Sequence, residues 1–111
     1  MENSAEKIQE VRRAVDDIPE NSPDRPLYLA RLAKQLSRKH SRTGAVVYLD
    51  EGIRLLRIAV DIAPYELPSR GRIVHNLSYQ LHDRYLRQKS VDDLLESVLV
   101  ARDSLDTVKG L

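Results

Sequence analysis

At 111 residues the chain can bury one small core, and with neither Phe nor Trp that core must be aliphatic. The absence of cysteine excludes a disulfide framework, a thiol nucleophile and a zinc–cysteine site. A net charge of +1 argues against a chain-wide polyanion binder, while 32% charged residues suit thin helical layers with much surface.

Residues 4–18 form the first predicted helix. Ser4 can cap it, and Ile8, Val11, Val15 and Ile18 share one face. Pro19 to Pro23 is a short linker. Ser22-Pro23 is a start signal, a capping hydroxyl followed by proline, for a helix from Pro23 to about Thr43. Leu29, Leu32, Ala33 and Leu36 make its apolar stripe, and Arg31, Lys34 and Arg38 lie opposite. Gly44, closing the turn from Ser41, can take the left-handed backbone that ends a helix. The helix from Ala45 to Ala63 has two apolar sides, which predicts neighbours on both. One side carries Leu49, Ile53, Leu56, Val60 and Ala63, the other Leu55, Ile58 and Ile62, and Pro64 stops the helix. A second linker, Pro64 to Pro68, equals the first in length. The helix from Ser69 to about Gln88 turns Ile73, Val74, Leu77, Leu81 and Tyr85 inward. Ser90-Val91-Asp92-Asp93 starts the last helix, which runs to about Val108 with Leu94, Val98, Ala101 and Leu105 as its inward stripe. Gly110 is its expected terminator.

Shifting the chain by about 45 residues brings these features onto one another, a period in the range of helical-repeat arrays. Ala14-Val15-Asp16 falls on Ala59-Val60-Asp61, and Pro19, Pro23 and Arg25 fall on Pro64, Pro68 and Arg70. Leu32, Gln35 and Leu36 fall on Leu77, Gln80 and Leu81, Glu51 on Glu96 and Arg57 on Arg102. The expected organisation is one unpaired helix, 4–18, followed by two helix-pair units, 22–63 and 67–108.

The two units resemble long tetratricopeptide repeats, such as those of fungal multidomain proteins of the NOD-like-receptor and CHAT (caspase-like) type. Those repeats read roughly PDR, then LxxLGxxLxxRYxRTG, then DLEEAIxxxRxAVxxxP. Unit one matches in Pro23-Asp24-Arg25, Arg42-Thr43-Gly44 and Leu49-Asp50-Glu51. Unit two matches in Asn76-Leu77, Asp83-Arg84-Tyr85, Leu94 and Glu96. Departures are Ala33 and Ser78 at the small position, and Arg87-Gln88-Lys89 in place of a glycine turn. The resemblance implies an all-α, right-handed solenoid of five helices; a closed bundle is the competing architecture.

It also implies function: a non-catalytic interaction module whose first helices line a concave groove for a peptide or partner protein, within a larger sensor or signalling protein. On that basis Leu27, Ala30, Arg31, Lys34, Ser37 and Arg38 line the groove from unit one. Unit two contributes Arg72, His75, Asn76, Tyr79, His82 and Asp83. Read from charge alone, Arg31, Lys34 and Arg38 equally describe a solvated helix face. A third reading, nucleic-acid or acidic-ligand binding, rests only on the basic helix 25–42.

Catalytic chemistry is not expected. His75 and His82 stand two helical turns apart, about 10 Å, too far for one metal ion. The three histidines read as surface or groove polar residues, and Asp16-Asp17 and Asp92-Asp93 as terminal or solvated charges. No cofactor or metal is called for. No apolar run approaches the roughly 18 residues of a membrane span, and no signal pattern opens the chain, so a cytoplasmic location is expected. Finally, Leu95, Leu99 and Val100 leave apolar surface on the last helix with nothing after it, which predicts self-association as a two-fold dimer.

Overall fold

The computed structural model describes residues 4–109, with side chains over 5–103. Five helices follow one another: α1 (Ser4–Asp17), α2 (Arg25–Thr43), α3 (Val46–Ile62), α4 (Arg70–Gln88) and α5 (Val91–Lys109). There is no strand among the described residues. Ser4 is the first helical residue; its expected capping side chain, Leu105 and Gly110 lie outside what is described.

The punctuation is chemical and repeats. Gly44 ends α2 at φ 72°, donating its N–H to His40 O at 2.7 Å. Lys89 ends α4 the same way at φ 59°, donating to Tyr85 O at 2.7 Å, although it has a side chain to accommodate. In the first linker Ser22 N–H donates to Pro19 O at 3.0 Å and Arg25 N–H to Ser22 O at 3.2 Å. In the second, Leu67 N–H donates to Pro64 O and Arg70 N–H to Leu67 O, both at 3.0 Å. One difference from expectation is the start of α2. Ser22 Oγ accepts the Asp24 N–H at 3.2 Å inside the linker turn, and the helix opens at Arg25 with Pro26 in its first turn.

Packing is between neighbours. α2 lies most extensively on α3 and α4 on α5; α1 packs on α2 and α3 on α4, and α2 touches α4 lightly. Among the described residues α1 and α5 share no contact. The molecule measures 42 × 36 × 22 Å, and its smallest dimension is about two helix diameters, so the helices form two layers. The core is aliphatic, built from Leu32, Leu36, Leu49, Ile53, Leu56, Leu77 and Leu81 among others. Helices cross closely where side chains are small. A Cβ on Gly52 of α3 would sit 3.5 Å from Ala33 O of α2 and 2.8 Å from Gln80 Oε1 of α4. About one period on, Ser78 Oγ donates to Ser97 O at 2.8 Å, joining α4 to α5.

Long-range ion pairs repeat too. Arg12 of α1 forks onto Glu51 of α3 at 2.5 and 2.7 Å, and Arg57 of α3 onto Glu96 of α5 at 2.6 and 2.9 Å. Each pair spans 39 residues. Arg25 reaches back to Val15 O and Ile18 O, and Arg70 to Ala63 O, so an arginine latches each second helix to the following first helix.

Two expected faces differ. The second apolar side of α3 is covered only at Leu55; Ile58 and Ile62 are exposed, Ile62 bordering a shallow recess with Pro23 and Pro26. The larger correction concerns α5. Val98 and Ala101, expected inward, are exposed, and Leu94 is half-buried. Asp93 and Ser97 are buried instead, and Val100, expected on the open surface, packs against the core. The reason is positional. Their counterparts Leu49, Ile53 and Leu56 are buried in α3, which packs against both α2 and α4; α5 packs against α4 alone.

Candidate functional site: a basic cleft

The leucines of α2 commit one side of that helix to the core, so its other side is set outward. On that side Leu27, Ala30, Arg31, Lys34, Ser37 and Arg38 form one wall of a cleft of about 640 Å³. α4 supplies the opposite wall through Arg72, Ile73, Asn76, Tyr79 and Gln80, with Ser69 at its end. The cleft thus takes all six residues expected from unit one, and Arg72, Asn76 and Tyr79 from unit two. His75, His82 and Asp83 fall outside it; His75 and His82 are exposed, and the His82 ring lies 6.2 Å from that of Tyr85. Ile73, expected in the core, and Gln80, not expected at the site, line the cleft as well. Their sequence signal was weak, because a residue at the edge of an apolar stripe serves core and cleft at once.

The electrostatics are one-sided. Four cations, Arg31, Lys34, Arg38 and Arg72, face the cleft with no carboxylate among the lining residues. None of the four is in an ion pair among the described residues; Arg31 lies 5.1 Å over the Tyr28 ring. A second recess of about 370 Å³ continues from α2 toward α1, where Arg31, Lys34 and Arg38 meet Lys7, Glu10, Tyr28 and Gln35. These three cations therefore form a ridge between two hollows. Floor polarity comes from Gln80, buried, with its Oε1 turned toward Gly52 and without a hydrogen-bond partner.

Elsewhere the arginines are engaged. Arg84 of α4 forks onto Asp93 of α5 at 2.7 and 2.8 Å and reaches Asp50 of α3 at 3.0 Å. Its guanidinium holds the Asp93 carboxyl below the usual range, against the opposing effect of burial. Arg12 does the same to Glu51. Asp93 is therefore a buried ion-pair partner rather than the solvated charge expected. About one period earlier Lys39 lies 4.8 Å over the Tyr48 ring, so the two places that join a cation to a ring in the first hairpin join it to a carboxylate in the second. Asp16, Asp17 and Asp92 are exposed as expected.

His40, expected at the surface or groove, is 2% exposed, its Nδ1 3.9 Å from Asp83 Oδ2 and its Nε2 unpartnered. Among the described residues no group of three or more His, Cys, Asp or Glu could hold a metal ion. No helix among them is long and apolar enough to cross a membrane. Comparison with family models, with curated proteins and with solved structures returned no match.

Proposed function

We propose that the chain is a tetratricopeptide-like interaction module, non-catalytic, that receives an extended acidic peptide in the cleft between α2 and α4. The observation that carries this reading is four cations on facing helices, in no ion pair among the described residues, in a cleft whose own lining holds no carboxylate; Glu10 lies in the adjoining recess. A solvated helix face has no need of a second wall, whereas here Arg72 of α4 faces the ridge of α2 across a cleft. Apolar floor from Leu27, Ala30 and Ile73 gives a ligand's side chains somewhere to sit, and Asn76 offers both donor and acceptor to a peptide backbone. The repeat architecture is supported by the recurrence of linker turns, helix ends and Arg–Glu pairs, together with packing that is chiefly between successive helices. A right-handed solenoid inside a larger cytoplasmic sensor or signalling protein is the setting that accommodates such a module.

The test is an anisotropy titration with a labelled Glu/Asp-rich dodecapeptide and its Gln/Asn counterpart. The acidic peptide should bind and its amide counterpart should not. Arg31→Ala with Lys34→Ala, and Arg72→Ala alone, should each weaken binding several-fold, since exposed charges contribute up to about 1 kcal/mol apiece. Equal binding of the two peptides, or indifference to these substitutions, would sink the reading. Tighter binding of a duplex or single-stranded oligonucleotide, with a log–log salt slope of about −0.9 per phosphate neutralised, would favour the nucleic-acid alternative.

A further inference from the structure

The outer side of α5 carries a stripe that none of the described residues covers. Val91, Leu95, Val98 and Leu99 are 62%, 57%, 51% and 61% exposed, at the i, i+4, i+7, i+8 positions of one helix face. The other end of the stack offers no match for it. Apart from Ala5 the exposed residues of α1 are polar, Glu6, Gln9, Glu10, Arg13, Asp16 and Asp17, so a second copy docked head to tail would set charged and polar groups against leucines.

The stripe does match itself. Asp92 stands at its N-terminal edge and Arg102 at its C-terminal end, both exposed and neither in an ion pair among the described residues. They are ten residues apart, about 15 Å of helix. We propose that α5 pairs antiparallel with α5 of a second copy across a two-fold axis at the level of Ser97. In that register Leu95 of each copy meets the partner's Leu99, and Asp92 of each meets the partner's Arg102. Every contact is thus made twice, as an isologous interface requires. Each copy brings on the order of a few hundred Å² of apolar surface, so the interface falls in the small class below about 1,200 Å². Val100 has no part in it, because it packs against the core of its own chain.

Sedimentation equilibrium of the full chain from about 5 to 300 µM tests the pairing, with circular dichroism confirming that each variant is folded. Wild type should show a monomer–dimer equilibrium, and Leu95→Glu with Leu99→Glu should be monomeric throughout. Asp92→Arg alone, and Arg102→Asp alone, should each weaken the dimer about tenfold by placing two like-charged pairs at the interface. An equimolar mixture of those two single variants should dimerise again, because both cross-chain pairs then join opposite charges. A monomeric wild type, a dimer that survives the double glutamate substitution, or a mixture that behaves as the separate variants do would each overturn the proposal.

Discussion

The hairpins α2–α3 and α4–α5 are built on one plan and held together by different forces. In the first, Leu49, Ile53 and Leu56 bury against leucines on both sides, and α3 is fixed by apolar area. In the second, the corresponding face of α5 lies largely open, and beside Val100 its inward contacts are polar: Asp93 on Arg84, Ser97 on Ser78, Asp103 on Arg70. A helix with neighbours on two sides can be held by leucine alone. A helix with one neighbour has half the area to bury, and here directional bonds complete the attachment. That difference can be broken or sharpened by experiment.

The largest effect should come from matched truncations. Ile53→Ala removes a side chain with no exposure and should cost about 2–5 kcal/mol in urea unfolding. Val98→Ala, about one period later, should change monomer stability by no more than about 0.5 kcal/mol. Comparable losses at the two positions would mean that α5 is covered in solution.

Next come the ion pairs. Asp93→Asn should destabilise by about 2 kcal/mol, less than the loss of a fully isolated buried pair because Asp50 still reaches Arg84. Acid should act on the same contact. Since Arg84 lowers the folded-state pKa of Asp93, the stabilisation is complete above the ordinary carboxylate pKa. It fades as pH falls through the lower, folded-state value, hence below about pH 4. Amide exchange between pH 5 and 2 should therefore show α5 losing protection before α3. Simultaneous loss would mean that the polar face is not what holds α5.

The smallest effect concerns the turns. Lys89 adopts a left-handed backbone at φ 59°, where Gly44 sits in the first hairpin at φ 72°. Lys89→Gly should stabilise by about 1 kcal/mol and Gly44→Ala destabilise by a similar amount, read as opposite shifts in melting temperature. Space is not at issue at Gly44, where an added Cβ meets nothing within 4 Å.

Most helix limits were legible in the sequence because their causes are local: Pro64, Gly44, Ser90 and the leucine spacing act within a turn or two. The wall of the cleft from α2 was legible for the same reason, since fixing Leu32 and Leu36 inward fixes Arg31, Lys34 and Arg38 outward. What escaped was decided by neighbours distant along the chain. Val98 carries the same pattern as Ile53, and only the presence of α4 beyond α3 separates buried from exposed. Asp93 reads as solvated beside Asp92, and only the packing of α5 on α4 sets it against Arg84. The Arg–Glu pairs, 39 residues apart, leave no short motif; the period had aligned Glu51 with Glu96 and Arg57 with Arg102, and one step further back lies Arg12.

Those pairs give the stack a direction. Each runs one way, arginine on the earlier helix and glutamate on the later. The step is the same both times, from one helix to the next but one, α1 to α3 and then α3 to α5. The odd-numbered helices are thus linked in one sense only, from α1 through α3 to α5. A two-fold pairing of α5 with a second copy sets two such senses against each other, and the carboxylate that meets Arg102 there, Asp92, stands outside the series.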